Sequence, residues 1–582
     1  MVAIIVSWLV ILFILISFGD ITITLYRKVC KQEEEYNLPD TFILGLCLLS
    51  APLGFWSIWM PSNHNFLLIA FVLSIVYWCL YQKRLLKRIH ILRSKIKSLP
   101  LSAFICIGIF AIMFLLSSTW LEGVYDSLFY HHQQIKWNEL YAAVPGLGNL
   151  DDRFAFNSNY LLISAIFSFR FLFGEAIFSL IPLSFIIIGC WIIKQLFEST
   201  FGFKQVIIFV AFAAFTTHSV YFIFDTSTDL LPNLICFYII ARVIIYPDFI
   251  TKNNLFCFII PIFLITCKLS VAPFCILTLY CVYRLIKNKN YPNLVFLSIF
   301  SLSILTPWLI RNIIISGYLI YPIASIDLFH FDWKIPKSIA VQQQAYITEI
   351  GRNFLHVAIF NPAVKYRDPL WINILTTATY ICGIILFTIS LIKFFKKKYQ
   401  LHTSHYLLLT ISISTIVVWL ISGPDIRFIS GIIFAFPALL LTTFFNTKTT
   451  SHFVRLGTAS LFMFCFIIGG WSIRRIYYTH RTVVTSIVAN HKPFADILIT
   501  PYTEEEKIEI YGINIEDHFQ AHRLNNNITI YISDLMYTLE ILPSTVDKTI
   551  PGKYMDYRDI EVRGESLQDG FRVKKDSLYK YQ

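Results

Sequence analysis

Residues 2–19, VAIIVSWLVILFILISFG, hold no ionisable side chain, and apolar blocks of this kind recur along the chain. Further blocks fall at 41–60, 66–82, 101–119, 176–196, 205–224, 230–246, 254–267, 270–286, 293–311, 373–393, 404–422, 428–446 and 455–473. Hydrocarbon offers a peptide N–H or C=O no partner, so a run of about 18 or more apolar residues crosses a bilayer as a self-satisfied helix. Only 14% of the 582 residues are charged, against about 25% in an ordinary soluble domain. Phenylalanine alone occurs 53 times. The chain reads as an all-α polytopic membrane protein with about fourteen transmembrane helices. The first block lacks a basic n-region and an A-x-A-like cleavage site, so it reads as a retained helix, not a signal peptide.

Net charge is +12, and in a polytopic protein that excess reports orientation, because Lys and Arg collect in cytoplasmic loops. The basic connections are QKRLLKRIHILRSKIK (82–97), RLIKNKN (284–290), KFFKKK (393–398) and the pair Lys194 and Lys204. Placing them inside leaves 120–175, 225–229, Lys268 with its neighbours, 312–372, 423–427 and the tail after 474 outside. Within the first outer loop, 129–141 and 158–173 predict two interfacial helices, the second lying along the outer leaflet. Nucleic acid is excluded as a partner, since no basic stripe stands on a soluble domain. Three units follow: accessory helices at 1–98, a transmembrane core at 99–475, and an extracytoplasmic tail at 476–582. NITIYISDLMYT and the turn signals NNN, PGK and QDG make the tail a small α/β or β domain. The twelve cysteines lie almost all in apolar runs without a CxxC pair, which argues against a disulfide framework or thiolate metal site.

The first outer loop, EGVYDSLFYHHQQIKWNELYAAVPGLGNLDDRFAFNSNY (122–160), is polar, aromatic and rich in ionisable groups between two apolar blocks. A loop of that character is a working surface more than a connector. Asp126 follows the fourth block by about seven residues, where a carboxylate can stay ionised as a general base or metal ligand. Its bland alternative is a helix cap. Tyr130, His131 and His132 come one helical turn later, and adjacent histidines diverge, so at most one shares the face of Asp126. Asp225 and Asp229 form a D-x-x-x-D pair, Lys268 interrupts FLITCKLSVAP, Arg311 and Asn312 follow TPWLI, and Asp425 and Arg427 stand in SGPDIRF. Any one of these serves as a helix-end anchor. Together they set acids and cations around one outer cavity suited to an anionic head on a lipid tail, with Lys268 and Arg311 on the phosphate.

The order of these motifs resembles the bacterial members of the glycosyltransferase C superfamily, membrane enzymes that take sugars from polyprenyl-phosphate carriers. FGEAIFSLIP at 173–182 is similar to their FG-x-x-x-x-x-R-L-P segment, and Lys268 to the Lys of their T-K-G element, with Leu269 where Gly is usual. PWLIRN at 307–312 and Tyr321-Pro322 resemble their PW-x-x-R-N…YP element. YDSLFYHHQQIKW, VPGLGNL, RFAFNSNY and PDIRF also resemble a narrower group of bacterial membrane proteins thought to be glycosyltransferase-like. The resemblance implies that Asp126 deprotonates an acceptor or holds a divalent cation, Mg or Mn, with inversion at the anomeric carbon. Tyr130, His131 and Asn157 would position substrates with Asp225 or Asp229 assisting, Lys268 and Arg311 would bind the carrier phosphate, and Asp425 and Arg427 count among the substrate-binding residues. The chain departs from the family where Tyr125 and Ser127 flank Asp126, and where FNSNY at 156–160 replaces H-P-P-L.

The expected activity is transfer of a sugar from undecaprenyl phosphate, or a related carrier, to an acceptor glycan, lipid or protein outside the bacterial inner membrane. An O-antigen polymerase or ligase would favour a late loop dense in arginine, where 316–372 has Arg352 and Arg367. A transporter or flippase would favour mid-membrane charges and matched halves. A non-catalytic assembly scaffold is the remaining alternative.

Overall fold

The computed structural model describes residues 1–32, 34–119, 126–360, 370–396, 401–445, 451–487, 515–538 and 540–581. The chain opens with α1 (Val2–Cys30), α2 (Leu38–Trp59), α3 (His64–Leu80), α4 (Gln82–Lys97) and α5 (Leu101–Ser117). A π turn at Ser127–His131 then leads into α6 (His132–Leu140), α7 (Leu147–Leu150), α8 (Asn159–Ile166) and α9 (Arg170–Phe173). The bundle resumes with α10 (Leu180–Glu198), α11 (Phe203–His218), α12 (Leu230–Ile245), α13 (Phe249–Lys252), α14 (Asn254–Cys267), α15 (Cys275–Lys287) and α16 (Tyr291–Ser316). It closes with α17 (Lys337–Phe360), α18 (Leu370–Lys396), α19 (Thr403–Ser422), α20 (Ser430–Phe444) and α21 (Ser451–Ile487).

Among the described residues nine helices are long and apolar enough to cross a membrane, and α3 with α4 forms a bent pair. Four blocks read as spans become the shorter helices α5, α11, α12 and α14, of 14–17 residues. At 1.5 Å per residue they reach about 21–26 Å, short of an about 30 Å hydrocarbon core. Polar residues set their length. Asp225 and Asp229 occupy the α11–α12 connection, and Lys268 breaks the backbone between α14 and a 3₁₀ turn at Leu269–Phe274. The α11–α12 connection is buried almost throughout, so its acids lie recessed in the protein.

The helix expected to lie along the outer leaflet at 158–173 is corrected. All eight residues of α8 are buried, and α8 packs against α2, α6 and α14. Ser158 Oγ donates to the Cys267 carbonyl (2.9 Å) and Asn159 Nδ2 to Thr266 Oγ1 (2.9 Å), which draws the segment inward. The chain reverses at Phe169, and Phe171 and Leu172 of α9 remain exposed.

Helix packing near the polar cluster depends on one close approach. A Cβ at Gly431, in the first turn of α20, would sit 2.0 Å from the Asn233 carbonyl of α12. Only glycine lets these backbones meet there.

The end of the chain is a small sheet region. Strands β1 (Phe519–Arg523), β2 (Thr529–Ser533) and β3 (Ser544–Val546) form one sheet, β1–β2 antiparallel and β2–β3 parallel. β4 (Ile560–Val562) and β5 (Phe571–Val573) pair antiparallel in a second. The run TEEEKIEI at 503–510 lies outside the described residues. Helix α21 continues to Ile487, past residue 474 where the tail was expected to begin. These strands share a core with two distant segments: Phe129, Trp137 and Phe154 of the first loop, Tyr318 and Ile335 after α16, and Ile530, Met555 and Phe571 of the tail.

Candidate functional site

Asp126 enters the π turn, whose i→i+5 bonding accommodates an extra residue per turn and re-aims the side chains that follow. Its carboxylate faces two guanidinium groups. Arg153 Nη1 lies 3.4 Å from Oδ1, and Arg427 Nη1 pairs with Oδ2. Arg427 is shared further: its Nε lies 2.9 Å from Asp425 Oδ2 and 3.8 Å from Asp229 Oδ2. Asp229 Oδ1 in turn holds Lys268 Nζ at 2.7 Å, and that ammonium stands 4.5 Å from the Phe428 ring centroid. Three carboxylates and three cations from six chain positions thus form one connected cluster, buried or nearly so.

Backbone clamps hold the cluster in place. Asn233 Nδ2 donates to the carbonyls of Arg427 (3.0 Å) and Phe428 (3.2 Å), while its Oδ1 accepts from Gly431 N (3.1 Å). The turn carrying Arg427 is therefore fixed to α12 by one amide side chain. Ser270 Oγ donates to the Phe428 carbonyl (2.8 Å), tying the Lys268 segment to the same turn. On the other side Arg153 lies over the Phe129 ring (4.4 Å) and near Tyr346 (5.6 Å). Gly552 of the tail, at φ +81°, leaves room for it, since a Cβ there would stand 2.5 Å from Arg153 Nη2.

The two histidines diverge, as the spacing predicts. His132 Nε2 sits 3.0 Å from Asp225 Oδ1. His131 is 3% exposed, and neither ring nitrogen has a hydrogen-bond partner among the described residues. Burial pushes its pKa down to about 3, against the opposing pull of Asp126 and Asp225. It is a neutral imidazole with two unused polar atoms beside the Asp126 carboxylate. Burial also raises the Tyr130 phenol, so it stays a proton donor.

Asn157 and Arg311 fall outside this cluster. Arg311 donates to the Ser57 carbonyl (3.1 Å), Asn138 Oδ1 (2.8 Å) and Asn157 Oδ1 (3.4 Å), and Asn157 also bonds the Trp308 carbonyl and indole. Ser158, next to Asn157, reaches the Cys267 carbonyl just before Lys268, so the two regions touch through one turn of chain. Sequence reading gave no role to Arg153 or Asn233. Arg153 sits in DDRFAF, where its acidic neighbours suggest a local pair, and Asn233 lies inside an apolar helix.

Among the described residues no group of three His, Cys, Asp or Glu side chains is arranged to hold a metal ion. Both Asp126 oxygens face guanidinium groups, so a divalent cation there would have to displace Arg153 or Arg427. The three carboxylates and three cations balance one another within the cluster.

No curated protein and no solved structure matches the chain. The model of a family described as a domain of unknown function, DUF8201, matches residues 1–434, which contain every residue of the cluster and stop short of the sheet region. That span is well over half of the 582 residues, and the chain belongs to this family.

Proposed function

We propose that the protein is a membrane glycosyltransferase of the C type, moving a sugar from a polyprenyl-phosphate carrier to an acceptor. The observation that carries the reading is Asp126 paired with Arg427, which meets Lys268 through their shared carboxylate Asp229, a base beside one cation and linked to a second at recessed helix ends. The acceptor oxygen attacks the anomeric carbon, the bond from that carbon to the phosphate oxygen breaks, and Asp126 takes the acceptor's proton. The carrier phosphate leaves with the bonding electrons, and Lys268 and Arg427 stabilise its growing charge, a contribution that is large where water is scarce. A phosphate drawn onto Arg427 also weakens that residue's hold on Asp126, leaving the carboxylate more basic when donor is present.

In this reading α3 and the four shorter apolar helices count as passes alongside the nine longer ones, giving fourteen. The basic connections face the cytoplasm of a bacterial cell, and the cluster and sheet region lie outside the inner membrane. The sugar-bearing pocket would use Tyr130, His131 and Asp225, with Asn157 and Arg311 bracing the floor.

The test is Asp126→Asn, which keeps shape and removes basicity. At matched membrane levels, transfer from a lipid-linked donor falls by about 10²–10⁴-fold if Asp126 is the base. Full activity in the folded variant would overturn the assignment.

A further inference from the structure

Helix α4 carries chemistry that the cluster does not use. Seven of its sixteen residues are Lys or Arg and none is acidic. Its axis turns by 91° from α3 across Tyr81. The other end of α3 is tied to the first loop, where Asn63 Nδ2 donates to the Glu139 carbonyl (3.1 Å). If α3 crosses the bilayer, α4 runs along the membrane plane at the end away from the cluster.

Two of the seven cations are spent on anchoring. Asp20 of α1 is fully buried, and it pairs with Arg84 Nε (2.8 Å) and with Arg88. The Tyr77 hydroxyl donates to the same carboxylate (2.5 Å). The other five, Lys83, Lys87, Arg93, Lys95 and Lys97, are exposed and make no ion pair among the described residues. Between them Leu86, Ile89 and Leu92 are 65%, 50% and 50% exposed. A helix with exposed leucine and isoleucine and unpaired cations, lying across a spanning helix, matches the acyl–headgroup boundary of an acidic leaflet.

We propose that α4 is an interfacial helix that recruits anionic phospholipid to the leaflet opposite the polar cluster. The Asp20 pairs hold its backbone to the bundle, and the five outward cations take phosphate headgroups. This surface is independent of the proposed activity.

The experiment reconstitutes the full-length protein in nanodiscs of mixed phosphatidylcholine and phosphatidylglycerol. Native mass spectrometry then reads the lipids retained after release. Wild type is expected to enrich phosphatidylglycerol by about tenfold over the bulk ratio at low salt, with enrichment falling as salt screens the charges. The variant K83Q/K87Q/R93Q/K95Q/K97Q, with Arg84 and Arg88 intact, returns to the bulk ratio. Equal enrichment in the variant, or none in wild type, overturns the proposal. The variant is scored only if its melting temperature in pure phosphatidylcholine matches wild type. If it fails to fold, a photo-crosslinking residue at Ile91 in the otherwise wild-type chain decides: preferential labelling of phosphatidylglycerol supports the proposal, and equal labelling of both lipids sinks it.

Discussion

Arg427 meets three carboxylates, and what a ligand does at this site follows from that crowding. Under the proposed activity an incoming phosphate would compete for one cation that several acids share, so Lys268, with its single close carboxylate, is the cleaner handle on donor binding. Under the same proposal, added undecaprenyl phosphate is expected to raise the melting temperature of wild type and Lys268→Met to abolish that rise; an equal rise in both would remove Lys268 from the donor site. His131 sets a pH dependence of its own. Its folded pKa of about 3 lies below the ordinary value of 6.5, so the unfolded chain binds more protons between those limits. Stability is fully present above 6.5 and declines as pH falls toward 3, by at most about 1.4 kcal/mol per pH unit from this group. His131→Phe should therefore flatten the acid limb of a melting-temperature profile relative to wild type, and parallel profiles would argue against a buried neutral imidazole. The acids and cations at 126, 229, 268, 425 and 427 were legible because each interrupts or follows an apolar run. Arg153 was not, because its partner is 27 residues away and reached through a π turn that no local pattern announces.

Elements here are shaped by where polar residues stop them. Apolar runs located the helices, but run length did not separate spans from helices that end early inside the protein. The break at Lys268 needed its partner in the α11–α12 connection, Asp229, to explain it. Helix α8 was misplaced for a related reason: its apolar residues suit lipid and protein core equally, and its amide and hydroxyl bonds to α14 decide between them. The α12–α20 contact offers an element-scale test. Gly431→Ala places a methyl group 2.0 Å from a backbone oxygen that cannot swing away. The helices must separate, carrying the Arg427 turn off the Asn233 clamp, at a cost of about 1–3 kcal/mol or more. A lowered melting temperature together with weakened undecaprenyl-phosphate stabilisation is expected; a neutral substitution would show that the two helices do not meet closely.

For the whole molecule, the tail's packing was the least legible feature. Its strands could be read from β-prone runs, yet nothing local says that they lie on residues about four hundred positions earlier. Gln133 Nε2 donates to Ser544 Oγ (2.6 Å), and Thr538 donates through its hydroxyl to the Phe129 carbonyl (2.7 Å) and through its N–H to Leu128 (3.1 Å). Lys553, its side chain fully buried, lies 3.4 Å from Asp151 and 3.6 Å from Asp152. Burial raises the Asp152 carboxyl, with Lys553 opposing that rise. Lys553→Met removes the cation and leaves two buried acids, a loss of about 3–5 kcal/mol. Limited proteolysis should then release the tail at neutral pH and less readily at mildly acidic pH, where protonation relieves Asp152; equal resistance to wild type would discount the triad.

The bonds from Thr538 to the π turn also fix an order of events during biosynthesis. The carbonyls of Leu128 and Phe129, two and three residues after Asp126, leave the ribosome long before their partner does, and the partner follows α21, the last long apolar helix among the described residues. A nascent chain still being inserted holds Asp126 in a loop that lacks its cover, and that cover closes only after the final segment has been delivered to the same side. The packing around the π turn is thus completed last.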